Sequence, residues 1–192
     1  MSEAYRPAPP WQVRQWFNTT RSLSLEDLRG KVVVLESFQM LCPGCVAHGL
    51  PQAQRVRATF PRDQVAVIGL HTVFEHHAAM TPTSLEAFLY EYRIDFPVGV
   101  DKAGDGEAVP QTMRAYAMRG TPTLTLIDTR GRLRHQHFGQ VSDLLLGAQI
   151  AQLVQEAAAD TEVSADRAHV ADNATDEDAV AGACSVEGGC EP

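Results

Sequence analysis

The sequence predicts an α/β domain with one mixed β-sheet and helices on both of its faces, followed by an acidic tail. Three observations carry this. Two apolar runs rich in β-branched residues, 31–38 and 64–70, are continuous rather than alternating, as strands buried on both faces must be. Each run is followed by a stretch of helical character. A later pair of runs, 124–127 and 132–138, is separated only by the turn Asp128-Thr129-Arg130-Gly131 and reads as a hairpin. The resulting order βα, βα, β, α, ββ, α gives a mixed sheet.

The elements follow from the residues in turn. Residues 1–10 are polar, with three prolines, and form a loose arm. Residues 11–17 read as an early strand, closed by Asn18-Thr19-Thr20. Ser24 caps a short helix through Leu28, Asp27 stands where an acid favours the helix start, and Gly30 ends it. The strand 31–38 leads to Cys42-Pro43-Gly44-Cys45 and then a helix to about Phe60, kinked near Gly49-Leu50-Pro51. After the strand 64–70, a loop from His71 to Thr81 carries His71, His76 and His77. Thr83 and Glu86 make a capping-box pattern before the next helix. Residues 96–100 form a short strand, 101–110 a loop by their Gly, Asp and Pro content, and 111–118 a short helix. Ser142 caps a last helix, with Leu144, Leu145, Ile150, Leu153 and Val154 available for its buried face. No internal repeat is present. The domain therefore spans 11–157.

At 192 residues one domain is expected, and 44% apolar with 21% charged residues is ordinary for a globular chain. No run of 18 apolar residues exists, so a membrane span is not expected. The N-terminus MSEAYRPAPPWQ has no basic segment followed by an apolar one, which points to the cytoplasm. From Ala158 onward nine acids face one base, Arg167, so the whole net charge of −8 lies there and residues 1–157 are neutral. A neutral body offers no footprint for nucleic acid. Residues 158–192, poor in bulky apolar side chains and dense in acids, read as disordered.

The four cysteines fall into two close pairs, Cys42/Cys45 and Cys184/Cys190. A secreted disulfide framework would spread them through the fold, so reactive or metal-binding pairs fit better. A C-x-x-C where a strand meets a helix reads as a redox pair. A helix N-terminus presents unpaired N–H groups and about half a positive charge, which stabilise a thiolate. That thiolate is the nucleophile of disulfide exchange. Pro43 suits the first turn, where its missing N–H leaves nothing unpaired. Cys42 is the attacker on this reading and Cys45 the resolver.

With these residues in place, the chain resembles the thioredoxin-fold, TlpA-like thiol–disulfide oxidoreductases and related redoxins over residues 11–157. The likeness rests on the strand before Cys42-Pro43-Gly44-Cys45, a proline shortly after the second cysteine, and Gly120-Thr121-Pro122-Thr123 followed by LTLIDTRGRL. The resemblance implies that Pro122 is cis and faces the cysteines, with Thr121, Pro122, Pro43 and Gly44 lining the substrate side. Glu36, six residues before Cys42, falls where thioredoxins carry a buried aspartate. By that analogy Glu36 is a general base for Cys45. Two departures are visible. Leu41 replaces the usual tryptophan, and Pro51 follows Cys45 by six residues, one more than these families show, which predicts a change in helix geometry.

The expected function is thiol–disulfide exchange with a protein or small-thiol disulfide, electrons coming from another dithiol, without organic cofactor, resident metal, nucleic acid or membrane partner. Two alternatives belong to other classes. One is a soft-metal module using both cysteine pairs. The other is a peroxide-reducing redoxin, against which Leu35 and Gln39 stand where peroxiredoxins place proline and threonine or serine. For Cys184 and Cys190 three readings stay open: an electron relay to Cys42–Cys45, a metal clamp, or no role. A flexible chain of that length reaches ~30 Å, at ~5–6 Å per root residue, enough to return to its own active site. His71, His76 and His77 read as a solvated loop before a metal site, and His48 as a surface helix residue.

Overall fold

The computed structural model describes residues 5–159. Its centre is the strand β2 (Val32–Phe38), seven residues all buried. Alternation along β2 divides the core in two. Val32, Val34 and Phe38 point into one apolar cluster, and Val33 and Leu35 into the other. A strand with helices on both sides has no solvent face, which is why its apolar run is unbroken.

The sheet has six strands in the order β1-β4-β3-β2-β5-β6. β3 (Val65–His71) runs parallel to β2, and β4 (Val98–Asp101) parallel to β3. β1 (Val13–Phe17), β5 (Thr123–Ile127) and β6 (Leu133–Phe138) pair antiparallel, so the sheet is mixed. A 3-10 turn, Glu26–Leu28, stands where a short helix is expected. Asp27 Oδ2 accepts from the Ser24 N–H and hydroxyl at 2.8 and 2.6 Å.

Four helices complete the fold: α1 (Leu50–Thr59), α2 (Pro82–Glu91), α3 (Gln111–Ala115) and α4, residues 143–159. Residues 5–155 belong to one compact unit. The N-cap of α2 is Thr81, whose hydroxyl accepts from Ser84 N, with Pro82 in the first turn; the Thr83/Glu86 capping box does not form. Proline's fixed φ starts the helix two residues earlier than the box would. α3 stops at Ala115 rather than near residue 118 because Ala117 has a positive φ of 52°. The buried face of α4 is Leu146, Ile150 and Leu153, whereas Leu144 is 89% and Leu145 48% exposed. Spacings of four and three place the observed trio on one face, and the first two leucines fall off it. His71 is the last residue of β3 and buried, not part of a solvated loop.

No helix among the described residues is long and apolar enough to cross a membrane. Most of the acidic tail, including Cys184 and Cys190, lies outside the described residues.

Candidate active site

β2 ends at Phe38, and the chain turns through Gln39, Met40 and Leu41 to Cys42. The Cys42 N–H donates to Gln39 O at 3.2 Å, and Cys42 O accepts from the N–H groups of Cys45 and Val46, both at 3.1 Å. Cys42 thus sits immediately before the first helical residue, Pro43. The Cys45 N–H also points at the Cys42 sulfur, at 3.3 Å.

The two thiols are both free, and they differ in access. Cys42 is half-buried, and Leu41 before it is 56% exposed. Cys45 has no exposed surface. Burial, and then the neighbouring Cys42 side chain, push the Cys45 thiol well above its ordinary range. Cys45 therefore needs help to lose its proton, whereas Cys42 meets solvent.

Opposite the cysteines, the Thr121–Pro122 peptide is cis. Cys42 Sγ lies 3.5 Å from Thr121 O. A Cβ built on Gly44 would stand 3.2 Å from Pro122 Cδ, so the cysteine loop and the proline ring are in contact through a residue without a side chain. Thr121, Pro122, Gly44 and Cys42 thus meet along one edge, and Pro43, exposed, flanks it.

Glu36 is 1% exposed in the middle of β2. By strand alternation its side chain faces the same cluster as Val34 and Phe38, the one that contains Cys45, Leu50 and Ala53. Desolvation pushes its carboxyl up to about 8. Its Oε1 has no hydrogen-bond partner among the described residues. Among the described residues, Glu36 thus neither faces solvent nor makes an ion pair.

Three features were not singled out from sequence. Cys45–Gly49 is a π-helical turn ahead of α1. A π-turn is a helix with one residue inserted, and it accounts for Pro51 standing one residue later than the resembled families show. Gly49 lies directly against the Glu36 carboxyl. Gln39, buried, accepts from Phe74 N and donates to Glu75, both at 3.3 Å, tying the cysteine loop to the segment after β3. A glycine within an otherwise helical stretch was the available signal for the second; side-chain contacts between distant segments left none for the third.

The histidines do not converge. His48, His76 and His77 are exposed. Burial, then the Arg14 charge, lower His71 to about 4, and its Nε2 lacks a partner among the described residues. Among the described residues no group of three or more His, Cys, Asp or Glu is placed to hold a metal ion.

The model of the AhpC/TSA family matches residues 5–136. Among solved structures, the chain is similar to a thioredoxin-like superfamily protein at 68% identity and TM-score 0.76, covering 78% of this chain and 96% of that one. It is also similar to a thiol-disulfide isomerase from Corynebacterium glutamicum at 52% identity and TM-score 0.73, covering 77% and 96%. Among curated proteins it is 27% identical over 144 residues to protein DipZ of Mycobacterium bovis, 74% of this chain but 20% of that protein. It is 24% identical over 125 residues to the thiol-disulfide oxidoreductase ResA of Halalkalibacterium halodurans, 65% of this chain and 64% of that protein. The chain thus spans a fifth of the length of the first and just under two thirds of the second.

Proposed function

The chain belongs to the AhpC/TSA family, as a TlpA-like thiol–disulfide oxidoreductase of thioredoxin fold, and from that premise we propose that Cys42 and Cys45 are its redox pair. The Cys42 thiolate attacks one sulfur of a substrate disulfide. A Cys42–substrate bond forms, the substrate S–S bond breaks, and the second substrate sulfur leaves as a thiolate. The mixed disulfide lies along the Thr121-Pro122 edge, with Pro43 and Gly44 beside it. Cys45 then gives its proton to the Glu36 carboxylate and attacks Cys42 Sγ. The Cys42–Cys45 bond forms, the substrate thiolate leaves, and two electrons have passed to the substrate. A dithiol donor reverses these bond changes to restore the pair.

The observation that carries this reading is the difference in access between two thiols at one helix start: Cys42 meets solvent and Cys45 does not. It supports attack by Cys42 and resolution by Cys45. Cys42→Ser should abolish turnover, and Cys45→Ser should accumulate the mixed disulfide, both visible by mass spectrometry of the alkylated protein. Retained turnover in Cys42→Ser would refute the mechanism.

The substrate class is a protein or small-thiol disulfide. Cys184 and Cys190 serve, on the same proposal, as an electron relay to this pair. Support comes from the sequence: a second close cysteine pair on a tether of tens of residues, with an effective concentration near the millimolar range.

A further inference from the structure

Gly49 closes the π-turn, and the space a side chain would need there is already filled. A Cβ built on it would overlap Glu36 Oε1 and stand 3.1 Å from the Glu36 carboxyl carbon and 3.0 Å from Pro122 Cβ. Helix, carboxyl and proline edge therefore meet at one Cα. Every other residue from Cys45 to Leu50 carries a Cβ, so a regular helix shifted by one residue would set a side chain against the carboxyl. π-turns are rare, occur mostly as single turns inside α-helices, and recur at functional sites. Here the inserted residue lets the helix pass over Glu36 without displacing it.

We infer that Gly49 is a positioning residue for the resolving step: the Cβ it lacks is what lets the Glu36 carboxyl lie beside the turn that carries Cys45. The inference rests on the proposed role of Glu36 as base. In that step the proton moves from Cys45 Sγ to the Glu36 carboxylate, the Cys45–Cys42 bond forms, and the Cys42–substrate bond breaks to release a thiolate. Among the described residues no other charge shifts the carboxyl. Its strand partners are Gly69 on β3 and Leu124 on β5, and the titratable groups of the cysteine loop and helix are Cys42, Cys45 and the exposed His48.

The experiment is single-turnover reduction of a symmetric nitroaromatic disulfide whose thiol absorbs on release. The first absorbance phase reports attack by Cys42 and the second reports resolution by Cys45. In Gly49→Ala the first phase should stay within about twofold of the parent, and the second should slow by about tenfold or more and lose its pH inflection, since a misplaced base forfeits general-base catalysis. Glu36→Asp shortens the carboxyl by one methylene and relieves the overlap with the new Cβ, leaving only its approach to Pro122 Cβ at 3.0 Å. The double variant Glu36→Asp/Gly49→Ala should therefore match Glu36→Asp alone in its second phase. A normal second phase in Gly49→Ala overturns the inference. So does a double variant slowed relative to Glu36→Asp, a comparison that holds even if Gly49→Ala alone does not fold. Glu36→Gln separates the two ideas. If it resolves slowly while Gly49→Ala does not, only the positioning role falls; if it resolves normally, the base role falls and takes the positioning role with it.

Discussion

Glu36 and His71 sit on adjacent strands, and burial drives their titrations in opposite directions. The Glu36 carboxyl, pushed from 4.5 to about 8, holds a proton in the folded state across a pH range in which the unfolded chain has lost it. Folding stability therefore falls as pH rises from about 4.5 to about 8, at about 1.4 kcal/mol per unit, and is flat above. Glu36→Gln keeps the shape and removes the titration. Its stability advantage should grow by a few kcal/mol between pH 5 and pH 9 in urea unfolding; an advantage equal at both pH values would show that Glu36 is not buried as described. His71 acts in the acid range. Lowered from 6.5 to about 4, it resists a proton that the unfolded chain takes up, so stability is lost as pH falls through that window. His71→Leu should flatten this loss, measured as the urea midpoint at pH 4.5 against pH 7.

Among the elements, α4 offers the sharpest contrast between neighbours. Leu146 is 1% exposed and Leu144 is 89% exposed, two residues apart on the same helix. Leu146→Ala should destabilise by about 2–5 kcal/mol, the cost of a core cavity. Leu144→Ala should stay within about 0.5 kcal/mol. Equal losses at both positions would mean that the helix presents a different face to the sheet. Both leucines lie in a run of three, Leu144 to Leu146, so periodicity alone leaves the face of the first turn open. Packing against the sheet settles it. The helix after Cys45 has the same character: its existence and its irregularity near Gly49 follow from sequence, but the form of the irregularity, a π-turn rather than a proline kink, depends on what lies beneath it.

For the molecule as a whole, the open question is whether the two cysteine pairs exchange electrons. Equilibrating the protein across glutathione ratios, alkylating, and mapping bonds by mass spectrometry should give linkages joining Cys42 or Cys45 to Cys184 or Cys190 if the relay operates. Only Cys42–Cys45 and Cys184–Cys190 bonds at every potential would sink it. Within the described residues, the site is assembled by the sheet order. β2 stands between β3 and β5, so the cysteine loop that follows its end meets the Thr121-Pro122 segment that precedes β5.

The sequence by itself determined the α/β class and the strands, and brought forward Cys42 and Cys45 as the candidate redox pair, because each is signalled locally: continuous apolar runs, turn residues, a C-x-x-C before a helix; Pro122 entered through the family resemblance. The sequence also placed Glu36 in a buried strand. Strand order, the buried face of α4, the burial of His71 and the contact between Gly49 and Glu36 were decided only by the tertiary structure. These depend on which distant segments share a surface, and spacing along a chain says nothing about that until the sheet brings the segments together.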